Sequence, residues 1–517
     1  MQQIPADVII DNVLVLTMNR SHPKAKGIAV KDGKFIGLLD EETTWPLAVN
    51  GTHIDGQGMT LLPGLIDAHC HLRAQISHDH SVHCGRDDVQ NISEIVNALR
   101  NKANQLEAGA WIRATGYDPF HLEEQRHPTR WDLDKATSQH PIRLRHITRH
   151  VSVLNSAALS LTGINSSSKD PSGITVERDH NGLPTGVIYG GDAWLSKKFV
   201  QPLTTQELQI GAEQLHTKLL SKGITAVQDA TPTNTLFDLQ FWNNCVNDFW
   251  KIAIQLMADI EHHAILTHHY QQCVAADVYD KLEIGAIKVV IEANPDLVPS
   301  PDELRVIALK AAQQQIPLAI HVVTPEMVWS ALDAIRYAKE LVPNHTMLHR
   351  LEHLSLCPDG FLSDIHELGV MVVTNPSLIY HHGDRYLKDV DSSEQSWLYR
   401  MNSLRANNIT VAAGSDAPVA SFDPWIGIGT ACTRKTISGK VLSVDEKLSR
   451  WESLELYTTT AARAAGWEMK RGMIHPGFHA DFILIEDNPL TCSIKKLSEI
   501  QVNQTWLDGK IAYMKQY

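Results

Sequence analysis

The sequence predicts an α/β protein built on a (β/α)8 TIM barrel, with a small β-sandwich domain from both chain termini and a long insertion after barrel strand 1. Three observations predict this fold. Between Thr205 and Asp416, short apolar runs alternate with stretches of helical periodicity. Both ends of the chain carry short strand patterns and Asp-Gly turns. A long region rich in Ser, Gly and Asn precedes that regular part of the chain.

The barrel strands are predicted in a regular order. The first lies just before His69, and seven more follow at residues 223–229, 251–257, 285–291, 317–321, 346–353, 370–374 and 409–416. Helices are predicted between them at residues 206–221, 235–247, 263–277, 302–315, 325–341, 359–368 and 395–407. Strands separated by helices form parallel sheets, and eight such units close into a barrel.

The two termini are expected to pair, because the ends of a domain often lie close together. Strand patterns occur at residues 6–10, 13–16, 27–30 and 35–39, and again at 480–485, 502–507 and 510–513. We therefore predict a β-sandwich domain from residues 1–62 and 466–517, a barrel domain from 63–465, and an insertion at about 75–205. Within the insertion, residues 92–106 are predicted to be helical, 111–115 and 141–146 to be strands, and 163–191 to be loops; the stretch after His71 is polar and irregular.

Composition excludes several classes of protein. The 517-residue chain carries a net charge of −13 and no long basic run, which argues against a nucleic-acid partner. No apolar run is long enough to cross a membrane, and the N-terminus lacks a signal-peptide pattern. The seven cysteines are scattered without a Cys-x-x-Cys pair, which favours free thiols in a cytoplasmic protein. A chain of this size is also expected to form a homodimer.

Histidines and one aspartate stand where barrel strands end. His69 and His71 follow the first strand, His321 ends the fifth, His353 ends the sixth, and Asp416 follows the eighth. Barrel enzymes build their sites at these C-terminal ends, and residues two apart in an extended chain share one face. Neutral imidazoles suit zinc and similar metals. The pattern therefore indicates a metal site at this rim.

Each of these residues also has a simpler interpretation. Taken singly, His321 and His353 are equally expected as hydrogen-bonded core histidines. Asp416 is also a good cap for the segment that follows it. Two imidazoles on one face need two separate explanations, so the pair His69 and His71 favours metal binding more than either does alone.

Lys288 lies inside the apolar fourth strand, in the run Ala-Ile-Lys-Val-Val-Ile. Lysine is rarely buried unless it is paired, and burial lowers the pKa of its amine. A neutral amine can add CO2 to give a carbamate that bridges two metal ions. The alternative is an ion pair with Glu292 or Asp229.

These motifs together resemble the metal-dependent amidohydrolase superfamily, beginning with Pro-Gly-Leu-Ile-Asp-Ala-His69-Cys-His71. More narrowly, nearly the whole chain is similar to the amidohydrolase-3 (YtcJ-like) branch, which includes N-substituted formamide deformylase. The further motifs that carry the resemblance are Gly116-Tyr117-Asp118, Asn155-Ser156-Ala157-Ala158-Leu159, Pro184-Thr185-Gly186, Ile320-His321, Arg350-Leu351-Glu352-His353 and Gly414-Ser415-Asp416-Ala417-Pro418.

The resemblance implies a set of metal ligands. They are His69, His71, Lys288 in carboxylated form, His321, His353 and Asp416. The implied cofactor is Zn²⁺ or another divalent transition metal, as one or two ions. The chain departs from the family pattern after the lysine, where Glu292-Ala293 stands in place of Asp-Gly.

The implied function is the hydrolysis of a non-peptide C–N bond in a small molecule, such as an amide, formamide or cyclic amide (EC 3.5 type). Asp416 and His353 are the predicted catalytic residues: Asp416 moves the proton of the attacking water, and His353, with His321 as the alternative, stabilises the oxyanion. Asp118 and His150 are candidate substrate contacts, with loop structure as the alternative. Two other functions stay open: a mononuclear deaminase of an aromatic or heterocyclic amine, and an inactive barrel that acts as a binding module.

Two further features stand near the first strand. His78-Asp79-His80 with His83 could bind metal, but a solvated loop is favoured because no partner residues come from strand ends. Asp67, two residues before His69, could orient a metal-binding side chain without binding the metal itself.

Overall fold

The computed structural model describes residues 4–40, 44–171, 173–273, 281–293, 296–344 and 346–516. The chain divides into two compact units, one of Met1–Leu72 with Glu213–Tyr517 and one of Arg73–Ala212. The second unit follows the first barrel strand along the chain, where the sequence predicts an insertion at about 75–205. The domain boundaries themselves stay a prediction.

Eight parallel strands form one sheet in chain order, which confirms the predicted barrel. They span Leu65–Cys70, Ile224–Asp229, Ala253–Ala258, Leu282–Val290, Leu318–Val322, Arg350–His353, Met371–Thr374 and Val411–Ala413. The helices after the second to the eighth strand include Leu236–Asp248, Ile260–Cys273, Pro301–Gln313, Pro325–Leu341, Leu362–Leu368, Pro376–Asp389 and Pro424–Thr433. Apolar side chains of strands and helices form one large core, which includes Ile320, Val328 and Trp425.

The eighth strand meets the first at a close approach of backbones. The Asp416 N–H donates to the His69 carbonyl over 2.7 Å. A side chain at Gly414 would place its Cβ 2.4 Å from the His69 backbone nitrogen, a distance that atoms do not tolerate. Glycine is therefore required at this point, because the two strands must come together for the barrel to close.

The helix after the seventh strand differs from the prediction. The structure has a long helix at Pro376–Asp389, whereas the predicted helix at residues 395–407 is reduced to a 3-10 turn and Asn402–Ala406. Proline begins a helix well because its missing N–H needs no partner there. Histidines and Gly383 in this helix hide its apolar periodicity. The end of the helix predicted at 263–277 lies in residues outside the described ones.

Two sheets form the sandwich, and both chain ends contribute to one of them. A four-stranded sheet has the order Lys34–Leu39, Gly27–Lys31, Ala6–Asp11 and Leu47–Asp55. A six-stranded sheet has the order Lys510–Met514, Val502–Leu507, Phe482–Ile485, Thr60–Pro63, Leu14–Leu16 and Lys24–Ala25. Ile10 and Val30 of the first sheet share one core with Leu61, Phe482 and Trp506 of the second.

The unit Arg73–Ala212 contains a six-stranded sheet of its own. The order is Thr175–Arg178, Pro184–Tyr189, Val151–Leu154, Ile142–His146, Ile112–Tyr117 and Val82–His83, and the helices of this region are Leu72–Asp79, Ile92–Ala103, Arg130–Asp134, Ser156–Thr162 and Asp192–Lys198.

Two predictions for this region were wrong. Residues 163–191 include a hairpin, in which Thr175 pairs with Tyr189 and Val176 with Ile188, because β-branched and aromatic residues favour strands and Asn181-Gly182 favours the turn between them. The stretch after His71 is a helix rather than irregular chain.

Among the described residues, no helix has the length and apolar character needed to cross a bilayer. The cysteines whose side chains are described carry free thiols, as the scattered cysteine pattern predicts: Cys70, Cys84, Cys245, Cys357, Cys432 and Cys492.

The six-stranded terminal sheet offers a test of the fold. Ile483 is fully buried and pairs with Leu62 next to the first barrel strand. Ile483→Ala should lower the free energy of unfolding by about 2–5 kcal/mol, because it leaves a cavity in the core. The control Ile511→Ala, at an isoleucine that is 47% exposed in the same sheet, should change it by less than about 0.5 kcal/mol. Urea unfolding followed by tryptophan fluorescence measures both, and equal effects would contradict the assignment.

Candidate metal centre

Four of the predicted site residues meet at the C-terminal rim of the barrel. The Nε2 atoms of His69 and His71 lie 3.5 Å and 3.2 Å from Asp416 Oδ1. One ligand atom each from His69, His353 and Asp416 lies within 4.8 Å of the others. Strands one, six and eight therefore bring two imidazoles and a carboxylate to a common point, and His71 contacts the same carboxylate oxygen as His69.

Glu352 fixes the orientation of His69. Its carboxylate contacts His69 Nδ1, and both side chains are buried. Burial favours the neutral acid, but Arg350, Lys288 and His69 outweigh it and hold the pKa of Glu352 well below its usual range. The ionised carboxylate accepts the Nδ1 proton, so the Nε2 lone pair of His69 faces Asp416.

The same logic applies to His353. Asn375 Nδ2 donates to the Gly414 carbonyl over 3.0 Å, which turns the Asn375 side-chain oxygen toward His353. His353 Nδ1 then donates to Asn375 Oδ1 over 2.7 Å, and its Nε2 is left as the acceptor. His71 Nδ1 lies 3.0 Å from the Thr231 hydroxyl, which can accept its proton.

Beneath these ligands lies a buried network centred on Arg350. Its guanidinium donates to both oxygens of Glu352, to Gln228 Oε1 and to the Ala68 carbonyl. A buried cation needs all of these acceptors, because burial without partners costs several kcal/mol. The network joins strands one, two and six, and so holds His69 through Glu352.

Lys288 lies in the fourth strand, buried in the barrel interior. Its Nζ has no hydrogen-bond partner among the described residues. Burial lowers the pKa of Lys288 to about 8, although the carboxylates of Glu352 and Asp416 partly oppose this shift. Neither Glu292 nor Asp229, the partners considered from the sequence, is among these charges, and Glu292 is exposed. A buried amine with a lowered pKa and no hydrogen-bond partner among the described residues is unusual, and groups of this kind often lie at functional sites.

His321 lies beside His353, one strand away from it. The two rings meet edge to face with centroids 4.6 Å apart. His321 is less buried than His353, and it is not within the group of ligand atoms that surrounds Asp416. The structure thus places His321 at the rim, next to the common point but not part of it.

Burial keeps the imidazoles neutral. It lowers the pKa of His69 to about 3, with the charge of Lys288 adding to the effect, and it lowers those of His321 and His353. Burial alone would raise the pKa of Asp416, but the hydrogen bond from His71 and the nearby His353 bring it well below the usual range. Neutral imidazoles beside an ionised carboxylate are the protonation states that bind a cation.

Two of the converging residues adopt a left-handed backbone. His353 has φ of 65° and Asp416 has φ of 58°. Such conformations are costly for non-glycine residues and are held in place by their surroundings. Asp67 supplies part of that support, since its Oδ1 accepts the backbone N–H groups of His69 and Ser415 at 3.1 Å and 2.9 Å.

The two predicted substrate contacts lie in the unit Arg73–Ala212. Asp118 is buried after the strand Ile112–Tyr117, 3.6 Å from His146 Nε2. His150 is exposed, and its carbonyl accepts the Gly190 N–H. Their role toward a substrate stays a prediction.

Sequence reasoning missed the groups that orient the ligands. These groups are Thr231, Arg350, Glu352 and Asn375. A signal was available for two of them: Arg350 and Glu352 are charged residues inside a short strand that ends in His353, and a charge there must be paired. Asn375 and Thr231 follow strands seven and two, at the same rim, and only the structure shows their partners.

The Glu352 contact generates a test. Glu352→Gln keeps the shape but removes the charge that faces His69 and Arg350, so metal affinity should fall by about 10–100-fold. The free energy of unfolding should fall by about 3–5 kcal/mol, since Arg350 loses its buried partner. Equilibrium dialysis against zinc and urea unfolding measure the two effects.

The matched control is Glu283→Gln in the fourth strand, where the carboxylate binds Trp467 Nε1 and Lys470 Nζ at 2.8 Å. It should leave metal affinity unchanged. Unchanged metal affinity in Glu352→Gln would contradict the role assigned to Glu352.

Comparison with known proteins agrees with this architecture. The chain is 27% identical to N-substituted formamide deformylase of Arthrobacter pascens, over 98% of each chain. It is 24% identical to YtcJ of Bacillus subtilis, which is named as an amidohydrolase, over 97% of this chain and 98% of that one. A crystal structure of an uncharacterized metal-dependent hydrolase from Pyrococcus horikoshii superposes with a TM-score of 0.74 and 22% identity, covering 94% of this chain and 99% of that one.

These likenesses confirm the fold and the resemblance to the amidohydrolase-3 branch predicted from the sequence motifs. The sequence model of the Amidohydrolase family matches residues 52–513, from the sandwich strand before the barrel to the last strand of the chain. With a match of that extent, this protein belongs to the Amidohydrolase family.

Proposed function

We propose that this protein is a metal-dependent hydrolase that cleaves a non-peptide C–N bond, with an N-formyl or N-acyl amine as its substrate. The observation that carries the proposal is the convergence of His69, His353 and Asp416 on one point. Similarity to N-substituted formamide deformylase over nearly the full length supports this choice of bond.

The residues present fit a divalent transition metal. Imidazole nitrogens and a carboxylate oxygen are the donors that Zn²⁺ takes, and the tautomers fixed by Glu352 and Asn375 turn lone pairs toward the common point. His69, His71, His353 and Asp416 would hold the ion, with His321 next to them. When bound, such an ion acidifies water and polarises a carbonyl.

The chain's own residues supply the proton transfers. Asp416 is ionised and lies at the rim, where it can accept a proton from the attacking water. It can then return that proton to the departing amine. The one N–H of neutral His353 is taken by Asn375, so its neighbour His321 is the better candidate to donate a hydrogen bond to the oxyanion that forms on the substrate.

Lys288 decides between one and two ions. Its lowered pKa raises the fraction of neutral amine at neutral pH, and the neutral amine, which has no hydrogen-bond partner among the described residues, can add CO2 to give a carbamate with release of one proton. The carbamate oxygens would add donors for a second ion. The alternative function, a mononuclear deaminase, is favoured by a different observation: a single group of ligand atoms surrounds the centre among the described residues, which suits one ion.

The first experiment removes the metal. Treatment with a chelator should abolish hydrolysis of N-formyl and N-acyl amines, and added Zn²⁺ should restore it, because water must be acidified for attack at neutral pH. A screen of these amides beside aromatic amines, with ion counting on the purified chain, measures the result. Full activity with less than one ion per chain would refute the proposal, and no bound ion with no activity would favour an inactive binding module.

The second experiment tests the lysine. If Lys288 is carboxylated, Lys288→Met should bind at least one ion per chain less than the unsubstituted protein and lower turnover by at least about 100-fold. Native mass spectrometry at neutral pH should show one added CO2 on the unsubstituted chain and none on Lys288→Met.

The matched control is Lys281→Met, at a lysine that precedes the same strand and pairs with Asp508 at 2.7 Å. It should keep the metal content of the unsubstituted chain. The same number of bound ions in all three chains, with release of ammonia from an aromatic amine, would support the deaminase instead.

The proposed partner is a small molecule. A homodimer and a cytoplasmic location stay predictions, which gel filtration and cell fractionation would test.

A further inference from the structure

We propose that His78, Asp79 and His83 form a second divalent-metal site, which shares no residue with the candidate metal centre. All three lie in the unit Arg73–Ala212. The proposal stands on the geometry of these side chains and does not depend on the proposed hydrolytic function.

The ligand atoms are close enough to share one ion. One donor atom each from His78, Asp79 and His83 lies within 4.8 Å of the others. Zinc holds nitrogen and oxygen ligands at about 2.0–2.2 Å, so two of its ligands lie up to about 4 Å apart. Small side-chain rotations therefore complete the site. The His78 and His83 rings already meet edge to face, with centroids 4.6 Å apart.

Regular structure positions these ligands, in contrast to the solvated loop that the sequence favours. His78 and Asp79 end the helix Leu72–Asp79, and His83 lies in the edge strand Val82–His83. The intervening turn is held by hydrogen bonds, since the Ser81 N–H donates to the His78 carbonyl and its hydroxyl to the Ser77 carbonyl at 2.9 Å and 2.7 Å. The helix end and the strand therefore present the ligands from fixed backbone positions.

Asp79 is also oriented. Gln75 Nε2 donates to its Oδ1 over 2.7 Å, one helical turn earlier. Hydrogen bonds to a ligating carboxylate are the usual support of a metal site. The bond from Gln75 therefore fixes the direction of the carboxylate toward the two rings.

The donor set selects the kind of ion. Two imidazoles and one carboxylate suit Zn²⁺ or a similar transition metal, whereas Mg²⁺ and Ca²⁺ prefer oxygen ligands alone. His83 is exposed and the other two are half-buried, so water completes the coordination. Such an open site exchanges its ion with solvent. It would fasten the helix end to the edge of the six-stranded sheet, and it would add one ion to any metal count on the whole protein.

The test counts zinc on the full-length protein after chelator treatment. The double variant His78→Gln with His83→Gln should bind one Zn²⁺ per chain less than the unsubstituted protein in equilibrium dialysis, and its zinc-induced rise in melting temperature should shrink. Asp416→Asn, which weakens the candidate metal centre, should retain this ion. His180→Gln, at an exposed histidine of the same unit, is the control and should bind zinc as the unsubstituted protein does.

The proposal is overturned if the double variant binds as many ions with the same affinity, or if His180→Gln loses zinc to the same extent, since that marks adventitious binding to surface histidines. The melting temperature without zinc checks that the variants fold. Should the double variant melt early, the single variant His83→Gln, at an exposed position, serves in its place and should weaken zinc binding by at least about 10-fold.

Discussion

The junction between the first and the eighth barrel strand is the constraint on which the candidate metal centre depends. There the Asp416 N–H donates to the His69 carbonyl, and Gly414 leaves no room for any side chain beside His69. Asp67 ties the same two segments from the other side by accepting backbone N–H groups from both. Residues almost 350 positions apart in the chain are thus held at hydrogen-bond distance by the closure of the sheet. The carboxylate of Asp416 lies beside the imidazoles because the backbone segments at His69 and Asp416 are held together.

The barrel also buries several ionisable side chains close to the candidate metal centre. Arg350 and Glu352 are almost fully removed from solvent, and pairs of this kind contribute little net stability even when every hydrogen bond is made. Their arrangement has another effect, which is to set the tautomer of His69 and to hold its ring. Lys288, a third buried charge-bearing group nearby, stays without a hydrogen-bond partner in the part of the chain that is described. Burial of these groups contributes little to stability, but it keeps the nitrogen and oxygen donors of the candidate metal centre oriented for a cation.

Much of this could be predicted from the sequence, and the reasons are physical. Each barrel strand is a short apolar run, and the polar residue at its end is conspicuous, so His69, His321, His353 and Asp416 could be placed at one rim before any coordinates. The helix Pro376–Asp389 could not, because its histidines and glycine interrupt the apolar repeat. Nor could the pairing of Glu352 with His69 or of Asn375 with His353, since tautomers depend on distances across strands that are far apart in sequence. The position of a candidate metal-binding residue can be predicted from its own stretch of sequence, whereas the orientation of its side chain depends on contacts in the closed barrel.

The six-stranded sheet that joins both termini has a consequence for synthesis of the chain. Its strand Thr60–Pro63 runs directly into the strand that ends at His69 and Cys70, and its neighbour on one side is Phe482–Ile485. That neighbour is synthesised only after all eight barrel strands. The strand Thr60–Pro63, which leads into the strand that carries His69, therefore keeps one edge uncovered until Phe482–Ile485 has been made. Exposed strand edges invite association with other chains, so the nascent protein has reason to need a chaperone over this interval.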